Sequence, residues 1–132
     1  MTINTDGGAR GNPGPAGIGA VIKNGQGLIV AEKKAYIGET TNNQAEYKAL
    51  LLGLSAAKAM GGSKILVNMD SELIVRQMQG RYKIKDPGLK LLAAEVMKLR
   101  EEFESVEFRH VPRAQNADAD KLVNQAIDEA LA

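Results

Sequence analysis

A change of hydrophobic period near residue 41 constrains the fold of this chain more than any other feature of its sequence. Before it, three segments rich in branched apolar residues predict β-strands, at residues 2 to 5, 18 to 23 and 28 to 36. The run Asn24-Gly-Gln-Gly predicts a hairpin turn, and the glycine-rich segment from Ala9 to Gly19 predicts a structured loop. Beyond residue 41, apolar residues recur at helical spacing, at Ala45, Ala49, Leu52 and Ala56.

Helices and strands are then predicted to alternate to the end of the chain. Thr41 matches a helix cap, and the first helix is expected to run to about Met60. The remaining predicted elements are a strand at 65 to 69, helices at 71 to 79 and 87 to 100, a strand at 106 to 111, and a closing helix marked by Ala119, Leu122, Val123, Ala126 and Ala130. This order predicts an α/β fold with a mixed five-stranded sheet, three antiparallel strands followed by two parallel ones, flanked by helices.

Size and composition bound the class of protein. With 132 residues, 44% of them apolar and 25% charged, the chain is expected to form one domain over residues 1–132. It has no cysteine, which leaves oxygen atoms to bind any metal. A net charge of +1 does not by itself indicate a nucleic-acid-binding protein. Since no leader or membrane span is recognisable, we expect a cytoplasmic monomer with no membrane partner.

Four acidic residues that are distant in sequence each lie where a predicted strand ends or a predicted helix begins: Asp6, Glu46, Asp70 and Asp120. Asp6 and Asp70 follow the first and fourth strands. If those strands are parallel neighbours, both acids reach the edge of the sheet where α/β proteins bind ligands. Glu46 shares a helical face with small residues that should press on the sheet, so its carboxylate is expected to point inward.

Asp120 borders the apolar stripe of the closing helix. At roughly 100° per residue, Asp118 projects about 160° away from Asp120 around the helix. Each acid taken alone has an ordinary explanation as a turn former, a helix cap or a solvated side chain. As a set they predict a shared pocket. Because close carboxylates raise one another's pKa unless a cation enters, the set predicts a divalent metal site.

Four motifs carry a resemblance to a known family: Asp6-Gly-Gly-Ala-Arg-Gly-Asn-Pro-Gly, Thr41-Asn-Asn-Gln-Ala-Glu46, Asp70-Ser-Glu-Leu and Asn116-Ala-Asp-Ala-Asp120-Lys-Leu. In this order they resemble the type 1 ribonuclease H family, in its short, archaeal-like variant. The resemblance covers nearly the whole chain. Because each of the four separated motifs contributes one acid, it is far more specific than a single short pattern.

The resemblance implies a ribonuclease H-like fold and an enzyme that cuts the RNA strand of RNA–DNA hybrids. Its cofactor would be two Mg²⁺ ions, with Mn²⁺ as a substitute. Asp6 would bridge both ions, Glu46 and Asp70 would lie on the side of the attacking water, and Asp120 on the other. In-line attack by water would leave 5′-phosphate and 3′-hydroxyl ends without a covalent enzyme intermediate.

Polar residues beside these acids are candidates for substrate recognition, because the 2′-hydroxyl that distinguishes RNA from DNA is both a donor and an acceptor. By resemblance they are Asn12, Thr41, Asn42, Asn43, Gln44 and Ser71. They have a structural alternative, since Asn-Pro-Gly forms turns and Thr41 begins a helix cap. A basic stretch beside Tyr82 could follow the DNA backbone or simply face solvent; it contains Arg76, Arg81, Lys83, Lys85 and Lys90.

The segment before the last helix departs from the family pattern. Many members carry a histidine in a loop there, whereas this chain has the shortened run Phe108-Arg-His-Val-Pro-Arg113, in which His110 is assigned to the fifth strand. A lone histidine on a strand is more often packed or hydrogen-bonded than catalytic. Arg113 then becomes the candidate cation near the substrate phosphate.

The substrate range stays open from the sequence. The chain has no tryptophan, and it lacks the extended basic helix with which some bacterial relatives hold hybrids. One alternative function is a non-catalytic nucleic-acid-binding module of the same fold, since a fold does not establish an activity. The other is a related nuclease that acts on duplex RNA or on RNA–DNA junctions with the same metals.

Overall fold

The computed structural model describes residues 1–132 and contains five strands and four α-helices. The strands are β1 (Thr2–Ala9), β2 (Gly14–Lys23), β3 (Ile29–Thr40), β4 (Lys64–Met69) and β5 (Ser105–His110). The helices are α1 (Asn42–Ala59), α2 (Glu72–Met78), α3 (Pro87–Arg100) and α4 (Ala117–Leu131), and a 3-10 turn at Arg113–Asn116 leads into α4.

The strands form one sheet in the order β3-β2-β1-β4-β5, with β1 at its centre. β1 pairs with β2 and β2 with β3 in antiparallel fashion, whereas β4 runs parallel to both β1 and β5. The predicted fold class, with three antiparallel strands followed by two parallel ones, is therefore confirmed. Asn4 of β1 lies opposite Asn68 of β4, so the two strands reach the same edge of the sheet together.

The glycine-rich segment after Asp6 is mostly strand, so the loop predicted there is wrong in extent. β1 continues to Ala9 and β2 begins at Gly14, which leaves a short connection at residues 10 to 13. The glycines that suggested a loop are required by helix packing instead. A β-carbon at Gly17 would lie 2.7 Å from the Val123 carbonyl oxygen, and one at Gly19 would lie 2.8 Å from that of Ala119. The bare backbone of β2 thus lets α4 approach closely.

Helices cover both faces of the sheet. α1, α2 and α3 share one face, where the largest buried cluster lies; its fully buried members include Ile3, Ile22, Tyr47, Leu50, Leu54 and Val67. α4 packs on the other face through Ala119, Leu122, Val123, Ala126 and Ile127. Ala130, which was predicted to belong to this stripe, is exposed because the last turn of α4 extends past its contacts with the sheet.

Side-chain caps fix where the helices begin. The Thr41 hydroxyl accepts a hydrogen bond from the Gln44 N–H at 3.2 Å and starts α1, as predicted. Ser71 caps α2 by accepting from the Ile74 N–H at 3.3 Å, and Asp86 caps α3 just before Pro87. Since Glu46 and Asp70 lie close to the first two caps, these bonds also fix the two acids along the chain.

None of these helices combines the length and the apolar character that crossing a lipid bilayer requires.

Gly7→Ala is expected to destabilise the protein by about 1 to 3 kcal/mol, because overpacking a dense contact forces the backbone apart. The new β-carbon would meet the Ala45 backbone and lie 2.6 Å from the Glu46 nitrogen. The matched control is Gly8→Ala, whose β-carbon would lie 3.8 Å from Val123 Cγ1, an ordinary contact. Urea denaturation measures both changes, and equal losses of stability would contradict this account of the β1 to α1 contact.

Candidate active site

Three of the four predicted acids form a tight cluster at one edge of the sheet. Carboxylate oxygens of Asp6, Glu46 and Asp70 lie within 4.8 Å of one another. Asp6 comes from the central strand β1, and Asp70 directly follows its parallel neighbour β4. Glu46 reaches this edge from α1 and is held there by the Gly7 N–H, which donates to its Oε1 at 2.7 Å. A helix and two strands thus deliver three carboxylates to one point.

Asp120 approaches the cluster from α4, on the opposite face of the sheet. It lines the same cleft as the other three acids, and its charge is among those that raise the pKa of Asp6. It lies outside the tight group of three. Asp118 is exposed and does not line the cleft, in agreement with the helical geometry that separated these two acids.

Without a bound cation, ionising the carboxylates of this cluster is unfavourable. Burial raises the pKa of Asp6 to about 9, with further increases from the charges of Glu46 and Asp70. Burial also raises the pKa of Glu46 to about 7, although the hydrogen bond from Gly7 opposes this shift. Buried carboxylates of this kind cannot all ionise in contact unless a cation compensates them. Their oxygen ligands and close spacing fit a hard divalent ion such as Mg²⁺ or Mn²⁺.

The acids lie in an open cleft of about 350 Å³ with mainly polar walls. Gly7, Gly8 and Ala9 of β1 form part of its lining. Two cations, Arg10 and Arg113, stand in the lining. A polar cleft that combines an acidic cluster with flanking cations is suited to a substrate that carries phosphate groups rather than to an apolar ligand.

The predicted substrate-contacting residues divide between two neighbouring cavities. Asn42, Ser71 and Arg113 line the acidic cleft. A second cavity of about 260 Å³ contains the others; it is lined by Asn12, Thr41, Asn43 and Gln44, together with Asp86 and Leu89. Whether any of them contacts substrate stays a prediction.

Asn42 forms hydrogen bonds to one lining residue of each cavity. Its backbone N–H donates to Asn12 Oδ1 at 3.1 Å, and its side-chain Oδ1 accepts from the Ala9 N–H at 2.7 Å. These bonds fasten the β1 to β2 connection to the start of α1. The structural alternative for Asn12 and Asn42 is therefore realised, and Thr41 and Gln44 of the second cavity also form hydrogen bonds within the protein.

Arg113 and His110 occupy different environments. Arg113 is largely exposed at the rim of the cleft, and its Nη2 lies 3.8 Å from Asp120 Oδ1. His110 belongs to β5, as predicted, and ends that strand, but it is exposed rather than packed and does not line the cleft. The position of Arg113 therefore suits a contact with a charged substrate, and that of His110 does not.

The basic stretch lies outside the acidic cleft. Arg76 is engaged within α2, where it bonds Gln79 Oε1 at 3.0 Å and lies 3.8 Å from Glu72. The other four cations, Arg81, Lys83, Lys85 and Lys90, are exposed, and so is Tyr82. Both earlier interpretations, a DNA contact and a solvated face, remain compatible with this placement.

Arg10 is a lining residue that the sequence did not single out. Its Nη2 lies 2.7 Å from Asp128 Oδ1 and 3.2 Å from Asn124 Oδ1, so the β1 to β2 connection is tied to α4. The available signal was its position as the only cation within the glycine-rich motif that follows Asp6. This position does not by itself predict the contact, because the partners Asn124 and Asp128 lie on α4, far away in sequence.

Comparisons with known proteins find a matching family model, similar relatives and similar solved structures. Residues 4–126 match the family model described as "Reverse transcriptase-like". The chain is 46% identical to a bifunctional protein of Mycobacterium tuberculosis over 98% of its own length, but over only 36% of that protein. It is 31% identical to the ribonuclease H of Hydrogenovibrio crunogenus, covering 98% of this chain and 96% of that protein. The solved structure of LC11-RNase H1 in complex with RNA/DNA hybrid has a TM-score of 0.95 and 53% identity, with 99% of both chains covered.

Asp6→Asn is expected to stabilise the metal-free protein, by at least about 1 kcal/mol at pH 7. The folded state keeps the Asp6 proton up to about pH 9, whereas an ordinary aspartate loses it near 3.8. Between these values the folded state binds more protons than the unfolded state, so stability of the original protein falls as pH rises. Thermal unfolding in a chelator should show a gain that grows from pH 4 to pH 7.

The exposed Asp118→Asn serves as the control for this experiment and should change stability little at any pH. A gain for Asp6→Asn that is the same at pH 4 and at pH 7 would contradict the assigned cause.

Proposed function

Because the chain belongs to the type 1 ribonuclease H family, we propose that residues 1–132 form one catalytic domain that hydrolyses the RNA strand of RNA–DNA hybrids. The observation that carries the proposal is the meeting of Asp6, Glu46, Asp70 and Asp120 in one open cleft. The solved relative that holds an RNA/DNA hybrid, at 53% identity, supports the same substrate class. Since the chain spans only 36% of the mycobacterial relatives, the activity of a whole protein of that kind lies outside the proposal.

The proposed cofactor is a pair of Mg²⁺ ions, with Mn²⁺ as a substitute. Asp6 would contact both ions, an assignment supported by its closeness to Glu46 and Asp70 and by the action of the Asp120 charge on its carboxylate. Bound divalent ions supply an attacking water of lowered pKa and charge that stabilises the departing oxygen. The products would carry 5′-phosphate and 3′-hydroxyl ends, and no side chain would bond covalently to the substrate.

The protein's own groups prepare this site before substrate arrives. The Gly7 N–H donates to one oxygen of Glu46, and side-chain hydrogen bonds with Asp6 and Ser71 also hold this carboxylate in place. Burial of Asp6 and Glu46 keeps bulk water away from both carboxylates. Arg113 stands exposed at the rim, where its guanidinium can exchange the distant Asp120 contact for a substrate phosphate.

Discrimination of RNA from DNA is assigned to the polar side chains beside α1. Asn12, Asn43 and Gln44 present amide groups in the second cavity, and each amide can donate to a hydroxyl or accept from one. Thr41 and Ser71 offer hydroxyl groups for phosphate or sugar. We also propose that the protein acts as a monomer in the cytoplasm.

Asp70→Asn is expected to reduce hybrid cleavage below roughly 1% of the original rate, since disturbing even the outer partners of a metal ligand costs about 10- to 100-fold. The protein should still fold and bind the hybrid, because asparagine keeps the shape of aspartate and removes one charge from the cluster. A labelled hybrid assay with Mg²⁺, together with circular dichroism and a binding titration, measures all three properties. Asp118→Asn, on the solvent side of α4, should cleave normally.

A panel of labelled duplexes separates the proposed substrate from its alternatives. We expect the RNA strand of a hybrid to be cleaved at least about 100-fold faster than duplex RNA. The strand paired with it is DNA in the hybrid and RNA in the duplex, and these differ in their 2′-hydroxyls and in helix geometry. Comparable cutting of duplex RNA, or cutting only at RNA–DNA junctions, would assign the protein to the related nuclease. Tight hybrid binding without cleavage in Mg²⁺ or Mn²⁺ would indicate a binding module instead.

A further inference from the structure

Three buried asparagines lie beneath the acidic cluster, and sequence reasoning gave them no role. They are Asn4 of β1, Asn68 of β4 and Asn116 at the start of α4, each no more than 6% exposed. Buried amides require partners, since an unpaired one costs stability. Here the three amides bond to one another across three separate elements of the fold.

The hydrogen bonds form a chain with a single direction. Arg109 Nε donates to Asn68 Oδ1 at 3.0 Å, and Asn68 Nδ2 donates to Asn4 Oδ1 at 3.5 Å. Asn4 Nδ2 donates to Asn116 Oδ1 at 3.1 Å, and Asn116 Nδ2 donates to the Thr5 carbonyl at 2.9 Å. A guanidinium can only donate and a carbonyl can only accept, so the two ends fix the orientation of every amide between them.

Each asparagine stands at a regular distance from one acid. Asn4 and Asn68 face each other across β1 and β4, two residues before Asp6 and Asp70, a spacing that returns to the same face of a strand. Asn116 precedes Asp120 by four residues, one turn of helix. The amide chain therefore runs one layer below the carboxylates and links the segments that carry Asp6, Asp70 and Asp120.

Asn116 does not form the capping hydrogen bond that is usual at its position. It is the N-cap residue of α4, yet its side chain makes no capping hydrogen bond. Asparagine at this position usually accepts from the N–H groups of the first turn. Both polar atoms of this side chain are directed to β1 instead, toward Asn4 and the Thr5 carbonyl.

We propose that Asn116 is a positioning residue, which anchors the start of α4 to β1 through Asn4 and the Thr5 carbonyl and thereby sets the Asp120 carboxylate against Asp6. The inference rests on the proposed function and deepens it. Asp120 is the one acid that lies outside the tight cluster, and its helix approaches from the other face of the sheet. Its distance from Asp6 is therefore set by where α4 begins.

The deciding variant is Asn116→Ser. Serine caps helices as well as asparagine does, so α4 keeps a favourable start, but its shorter side chain cannot span the distance to both partners on β1. We expect the variant to melt close to the original protein. Its kcat on the hybrid should fall about 10- to 100-fold while KM changes little, because the loss concerns ion placement and not substrate contact. The Mg²⁺ concentration for half-maximal activity should rise.

Ion binding in the absence of substrate provides a readout that does not depend on cleavage. Calorimetric titration with Mn²⁺ should show weaker or fewer binding events in Asn116→Ser. Asn4→Ser removes the same contact from the other side, so the double variant should lose no more kcat than the more affected single variant. Val96→Ala is the control for lowered stability alone, since Val96 is fully buried in α3 and does not line the acidic cleft.

The possible outcomes separate the two claims. If the original protein does not cleave hybrids, the proposed function fails, and the positioning claim is judged on Mn²⁺ binding. Asn116→Ser with original kcat and original Mn²⁺ binding would overturn the positioning claim while leaving the function intact. A loss of activity that only follows the fraction unfolded, as in Val96→Ala, would also overturn it. Should Asn116→Ser fail to fold, Asn4→Ser decides by the same measurements.

Discussion

Parallel pairing of β1 with β4 is the constraint on which the rest of this molecule depends. It places Asp6 and Asp70 side by side at one edge of the sheet. It also places a face of β1 against α1, so that Glu46 enters the same point and is held by the Gly7 N–H. The other face of β1 receives α4 and Asp120. A shift of this pairing by one residue would turn Asp6 away from Asp70, because successive side chains of a strand point to opposite faces of the sheet.

The cluster that this pairing creates opposes folding, and the remainder of the chain compensates for it. Buried carboxylates in contact raise one another's pKa and weaken the metal-free fold. A continuous apolar core on the α1 side of the sheet stabilises the fold against this cost. On the α4 side the interior is partly polar, and there the hydrogen bonds of three asparagines take the place of apolar packing. Because Glu46 reaches the site from the α1 side and Asp120 from the α4 side, both faces of the sheet contribute to the acidic cleft.

Local patterns in the sequence predicted the fold class and the order of the elements, although not the extent of β1 and β2, and they indicated the four candidate acids. Periodicity separated strands from helices, and the position of Glu46 on a small-residue face indicated correctly that it points inward. The glycines of β2 misled, because glycine serves a close helix contact as readily as a turn. Arg10 and Asn116 were missed for a related reason. Their partners are more than 100 positions away, and no local pattern encodes such a contact.

The bare surface of β2 has a consequence for anyone who redesigns this protein. Gly17 and Gly19 score poorly for strand formation, and a procedure that optimises each site separately would exchange them for valine or threonine. Such a replacement would improve the isolated strand, but the new side chains would push the α4 backbone, at the Val123 and Ala119 carbonyls, away from β2. A protein altered in this way would have better strand propensity at both positions, yet Asp120 on the displaced α4 would no longer meet the other three acids.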